Sequence, residues 1–226
     1  MSFLWCKEIS NDFDIYLTMN NRKINYLEFP KVEIDMFSVD LIAKAIEEFS
    51  FEILINMIGL TNVENCQSNP DLAFLLNAIV PRNLAKACKL TGKKLIHIST
   101  DHFFENECYP HSEEDKVSLL NIYAKSKFEG ELSILENYSN SLICRTNFFG
   151  YGPLHKMSFS DWIINSFISK REITLHNDVY FSPVSGGNLA FFAHKLLDLG
   201  CSGIFNISSD NVLTKYQFGI LLRIMH

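Results

Sequence analysis

Apolar positions along the chain alternate between two spacings. Residues 41, 42, 45, 46 and 49 repeat at the interval of one helix face, which predicts a helix over 39–49. Residues 51–58 form a near-continuous apolar run, the pattern of a strand buried on both faces. Before these, 14–18 reads as a short strand and 32–34 as a weaker one. Residues 70–90 read as a long helix opened by Asn69-Pro70 and ended by Gly92, with Pro81 placed to kink or divide it. A strand follows at 94–100, a polar loop at 101–118, a helix at 119–136 and a strand at 141–146. The order β-β-α-β-α-β-α-β implies a parallel sheet with helices on both faces, and ligands bound beyond the carboxyl ends of its strands.

The texture changes after Gly150-Tyr151-Gly152-Pro153, a turn-rich segment that marks a boundary. The expected domains are 1–152 and 153–226. The second is predicted to hold a helix near 160–170, a strand at 172–175, a helix at 187–199, a strand at 203–207 and a helix from about 214. His226 falls inside that last helical pattern, so a shortened second lobe is expected.

Composition narrows the functional classes. The chain has 226 residues, 47% of them hydrophobic and 20% charged, with 19 phenylalanines to fill a core. A net charge of −6 lacks the basic footprint of a nucleic-acid binder. Its six cysteines show no CxxC spacing, and no His/Cys cluster points to a metal. They read as small buried hydrophobes in a reducing compartment. Lys7 and Glu8 interrupt the apolar start, so no secretory signal is read. No run approaches the roughly 18 to 20 apolar residues of a membrane span. A cytoplasmic protein without membrane or nucleic-acid partners is expected.

Chemistry concentrates at Tyr123-Ala124-Lys125-Ser126-Lys127. Tyr123 and Lys127 stand four apart at the start of a helix and share a face. A free tyrosine, with a pKa of about 10, is a poor acid or base near neutrality. A neighbouring ammonium favours the phenolate and brings that pKa toward the working range. Upstream, a strand ends at Ser99-Thr100-Asp101, where a hydroxyl faces the ligand crevice of a parallel sheet.

Three ordered segments carry a family resemblance: Ile96 to Phe104, Tyr123 to Lys127, and Arg145 to Gly152. Together with Glu113-Glu114-Asp115 and Asn77-Ala78, they resemble the extended short-chain dehydrogenase/reductases, and among these the dTDP-4-dehydrorhamnose reductase group. The resemblance implies a Rossmann-like, doubly wound α/β sheet with a small C-terminal α/β substrate lobe. It also implies an NADP or NAD cofactor and a nucleotide-sugar substrate, and leaves a homodimer open.

On that resemblance Thr100, Tyr123 and Lys127 form the catalytic triad, with Lys127 also holding the nicotinamide ribose. Asp35 and Met36 would lie against the adenine. Met57, Ile58 and Gly59 would pass the ribose and pyrophosphate, Asn77 would support the site from the long helix, and Thr146 would lie near the nicotinamide. Ser99, Asp101, His102 and Asn147 are weaker substrate-side candidates, and His102 stands where the reductases usually have tyrosine.

The family opens with a strand and a glycine-rich turn. Here Met1 to Lys7 reads as already inside the first helix, and the first glycine is Gly59. The expected sheet therefore lacks its first strand, and the strands at 14–18 and 51–58 either close on each other or leave a gap. Truncation at both ends is the expectation. The leading function is reduction of a nucleotide-linked keto-sugar for deoxysugar and polysaccharide biosynthesis. The alternatives are a non-catalytic sugar-nucleotide-binding or regulatory homologue, and an epimerase or dehydratase. Arg22 and Lys23, after the second strand, tilt the cofactor toward NADP.

Overall fold

The computed structural model describes residues 1–18, 28–104, 110–152 and 157–225. Arg22 and Lys23, and with them the sequence argument for NADP, lie outside the described residues, as does Cys108.

The centre is a four-stranded parallel sheet in the order β3 (Ile53–Asn56), β4 (Lys94–Ile98), β5 (Leu142–Thr146) and β9 (Gly203–Ile207). Successive side chains on a strand point to opposite faces. Leu95 and Ile143 accordingly enter one core with Ile42 and Ile46 of α2 (Val39–Glu48), Leu84 and Cys88 of α5 (Val80–Thr91) and Ile134 of α6 (Ile122–Asn137). Ile96, Ile98, Leu142 and Cys144 enter the other. There they meet Trp5 and Ile9 of α1 (Ser2–Ile9) and Leu189, Ala193 and Leu197 of α8 (Gly186–Asp198). Both faces are covered, so β4 and β5 are mostly apolar, with His97 and Arg145 buried among them, as befits a doubly wound sheet.

Local signals set the element ends. Ser38 caps α2 by accepting from the Leu41 amide, and Asn121 caps α6 by accepting from the Ala124 amide. Gly92, at φ 69°, takes the left-handed turn that closes α5. The long helix is interrupted upstream of Pro81, not at it. α4 (Pro70–Phe74) runs into a π-turn at Leu75–Ile79, and Pro81 sits in the first turn of α5, where its missing N–H costs nothing.

A second, two-stranded parallel sheet pairs β1 (Leu17–Thr18) with β2 (Lys31–Val32). Of the two outcomes left open by the sequence, the structure has the gap. β1 bonds to β2 and β3 to β4, and a cavity of about 670 Å³ lies between β1 and β3. Ile15, Leu17, Ile53 and Ile55 line it from the two sides, with Trp5 and Ile9 from α1.

The smaller lobe contains α7 (Phe159–Ile168), opened by a Ser158/Asp161 capping box, and α9 (Lys215–Met225). Ile163, Phe181, Phe218 and Leu222 form its core. The strand expected at 172–175 is absent; Ile173 and Leu175 reach that core from irregular chain. The lobe's pairing is instead β7 (Tyr180–Phe181) with β10 (Leu213–Thr214), and β8 (Val184–Ser185) with β6 (Phe148–Phe149). A boundary at residue 152 does not separate the layers, because α8 and β9 return to the large sheet. Among the described residues no helix is long and apolar enough to cross a membrane, and no cluster of His, Cys, Asp and Glu could hold a metal ion. The described cysteines are free thiols.

Candidate active site

The carboxyl ends of β3, β4 and β5 open into a cleft of about 330 Å³. Met57, Ile58 and Gly59 line it from β3, Ser99 to His102 from β4, and Thr146, Asn147 and Phe148 from β5. Tyr123 and Lys127 complete it from α6. Eleven of the candidate residues thus converge on one crevice at the position expected for ligands of such a sheet.

Thr100 stands beside the Tyr123 hydroxyl in the cleft, and its Oγ1 accepts from the His102 amide at 3.2 Å. Burial raises the Tyr123 phenol to about 12; Thr100 works against this, while Asp101 and Cys66 add to it. Lys127 does not supply the expected opposing charge. Its Nζ is turned inward, donating to the Ile98 carbonyl at 2.7 Å and standing 3.3 Å from His97 Nε2. Burial lowers its pKa to about 8, against the pull of Glu131. Helical spacing put Tyr123 and Lys127 on one face, but the lysine's end point is set by β4.

The remaining candidates divide. The Ser99 hydroxyl is committed to Glu131 Oε1 at 2.5 Å. Glu131 is buried and paired with Arg145 at 2.8 Å, beneath the strand ends. Asp101 accepts from Asn147 Nδ2 at 3.3 Å, and burial raises its carboxyl above the usual range despite that bond. Thr146 Oγ1 is buried at the cleft with no hydrogen-bond partner among the described residues. His102 is exposed, with its ring 5.9 Å from Tyr123.

Asn77 lies behind the cleft wall. Its Oδ1 accepts from the Leu60 amide at 2.8 Å, and its Nδ2 donates to the Leu60 carbonyl and to Ser126 Oγ. It thereby ties the loop after β3 to the helix that carries Tyr123. A Cβ at Gly59 would come within 2.9 Å of Asn77 Oδ1, so the loop needs glycine there. Asp35 and Met36 are not brought to the cleft. Asp35 is exposed and caps the Phe37 amide, whereas Met36 lines the larger cavity.

Sequence reasoning missed Asn56, His97, Glu131 and Lys215. A histidine inside an otherwise apolar strand, and a glutamate one turn beyond Lys127 on the same face, were the available signals. Lys215 carried none, because chain folding alone brings it to Asp101. Its Nζ lies 3.4 Å from the Phe181 ring centroid and 5.2 Å from that of Phe159, and burial lowers its pKa to about 8 against the pull of Asp101.

A doubly wound sheet whose strand-end threonine meets a helical tyrosine, one turn from a buried lysine, makes this a Rossmann-like α/β protein with its site at the strand ends. The chain belongs to the family described as the RmlD substrate binding domain, whose model matches residues 13–224. It is similar to the probable low-salt glycan biosynthesis reductase Agl14 of Haloferax volcanii, 30% identical over 195 residues, covering 84% of this chain and 65% of that protein. It is also similar to methionine adenosyltransferase 2 subunit beta of Xenopus tropicalis, 26% identical over 197 residues, covering 83% of this chain and 59% of that one. Among solved structures it resembles dTDP-4-dehydrorhamnose reductase of Bacillus anthracis in complex with NADP, with a TM-score of 0.77 and 26% identity. That match covers 90% of this chain and 74% of the other. The chain therefore spans less than two thirds of the length of these two curated relatives.

Proposed function

We propose that the protein is an NAD(P)H-dependent reductase of a nucleotide-linked keto-sugar, of the dTDP-4-dehydrorhamnose reductase kind. The observation that carries this reading is the meeting of Thr100 and Tyr123 in the cleft at the mouth of the sheet, with Lys127 one helical turn away. Thr100 orients the substrate carbonyl, and Tyr123 gives its hydroxyl proton to the carbonyl oxygen as that oxygen gains charge. A nicotinamide cofactor supplies the hydride when bound.

The cleft fits the reacting half of such a cofactor. Thr146 Oγ1 is a buried polar atom in need of a partner, and a carboxamide would provide one. Met57 to Gly59 and Lys127 would hold the adjoining ribose and phosphates. Met57 and Ile58 line both cavities, so a dinucleotide would reach Met36 and Asp35 only past them. The substrate's sugar would lie toward Asp101, His102 and Asn147, between the sheet and the smaller lobe.

Titration of the chain with NADPH and NADH, followed by nicotinamide fluorescence, tests the reading first. Micromolar binding, then cofactor-dependent reduction of a dTDP-4-keto-6-deoxy sugar that Tyr123→Phe abolishes, supports it. A folded sample that binds neither cofactor at millimolar concentration rules out a reductase acting as this chain alone. It would leave a second reading, a non-catalytic nucleotide-sugar binder or regulatory homologue. The likeness to methionine adenosyltransferase 2 subunit beta and the cavity between β1 and β3 favour that alternative.

A further inference from the structure

Lys127 is approached from behind by a chain of hydrogen bonds whose direction is fixed at its far end. The Ile58 backbone N–H can only donate, and it meets Asn56 Oδ1 at 3.0 Å. This sets the amide orientation, so Asn56 Nδ2 faces His97 Nδ1 at 2.9 Å as donor. His97 Nδ1 must then accept, and a neutral imidazole with an accepting Nδ1 carries its proton on Nε2. That Nε2–H points at Lys127 Nζ, 3.3 Å away. An ammonium has only donors and would meet the imidazole proton head-on, whereas an amine has a lone pair to receive it.

We propose that Asn56 and His97 are positioning residues that favour the neutral amine form of Lys127, its lone pair taking His97 Nε2–H. The inference rests on the reading of Lys127 as part of the reductase site and goes beyond it by assigning the residues that set its proton affinity. Lys127 also donates to the Ile98 carbonyl at 2.7 Å, a bond open to either protonation state and stronger for the ammonium.

The surrounding charges agree. Glu131, one turn further along α6, favours the ammonium, but its carboxylate is taken by Arg145 of β5. Asp101 shares the cleft from the end of β4, and both it and Cys66 of α3 (Val63–Ser68) act on Tyr123. His97 is fully buried and kept neutral by that burial, so it does not relieve the conflict by charging. Lys127 gains its proton on leaving His97 for the cleft. A ligand that draws it there takes up as much as one proton above about pH 8.

Two NMR measurements on the protein without cofactor test this. Imidazole ¹⁵N shifts read the His97 tautomer, and ε-¹³C-lysine shifts, assigned with Lys127→Arg, read the ionisation of Lys127. The expected result is His97 protonated on Nε2 and Lys127 titrating at about 8. In Asn56→Asp a carboxylate faces Nδ1 and accepts from it, so the tautomer reverses. The Lys127 midpoint then rises by about one pH unit or more, a tenfold change. A filler role for Asn56 would leave the tautomer unmoved. A wild-type His97 protonated on Nδ1, or a Lys127 titrating as an ordinary lysine, overturns the proposal without need of the variant. Failure to bind nicotinamide cofactor would instead sink the reductase reading and leave this result standing.

Discussion

Glu131 grips the Arg145 guanidinium side-on. Both carboxylate oxygens accept from Nε at 3.1 Å, and Oε2 accepts from Nη2 at 2.8 Å. Both side chains are buried, and Arg145 also stacks over Phe103, 5.1 Å from its centroid, which fastens the loop after β4. Glu131→Gln keeps an acceptor for Ser99 but strands the guanidinium. It is expected to cost about 3–5 kcal/mol in urea unfolding, whereas Glu131→Met with Arg145→Met costs less than the sum of the singles.

The active helix approaches the π-turn closely at Gly130. A Cβ there would run into the backbone oxygen of Asn77, and backbone cannot swing aside as a side chain can. Gly130→Ala is expected to lower stability by about 1–3 kcal/mol despite alanine's better helix propensity. A denaturation midpoint equal to or above the wild type's would show that the two helices can separate at no cost.

Lys215, at the start of α9, lies against the Phe181 ring within the electrostatic reach of Asp101. Its folded pKa of about 8 lies below the ordinary value of 10.5. Between these limits the unfolded chain binds more protons, so this group's contribution to stability rises with pH across that window. The stability of the wild type relative to Lys215→Met should therefore increase from about pH 7 to about pH 10. Paired urea titrations check the sign, and a difference that is flat or falls with pH refutes it.

Tyr123→Phe removes the proton donor and little else. Keto-sugar reduction should fall by about 10²–10⁴-fold with cofactor affinity nearly unchanged. Stopped-flow hydride transfer and fluorescence titration separate the two quantities. Equal losses in both would assign Tyr123 to binding.

The elements most legible in the sequence were those that tertiary packing demands of any chain in this fold. β4 and β5 announce themselves because both faces are buried, and α6 because Asn121 caps it. Ile173 and Leu175 alternate as a strand would, yet they have no edge to pair with. The site was legible wherever a residue follows a strand end, as Thr100 and Thr146 do. It was illegible where distance along the chain hides the partner. Lys127 turns toward His97, Ser99 is claimed by Glu131, and Met36 faces the cavity between the two sheets. None of these follows from local spacing, because each depends on which strand the topology sets beside which helix.

The π-turn at Leu75–Ile79 gives the long helix two phases. Each extra residue in a helical turn rotates all that follows by about 100°. α4 and Asn77 therefore address α6 and the loop after β3, while α5 presents Leu84 and Cys88 to the core it shares with α2. No single helical wheel describes both faces, and the apolar pattern over 70–90 is two patterns joined out of step. The helix works as a coupling between two misaligned shafts. Loss of a single residue from that turn would bring them into line, and either the core or the grip of Asn77 on the active helix would have to give way.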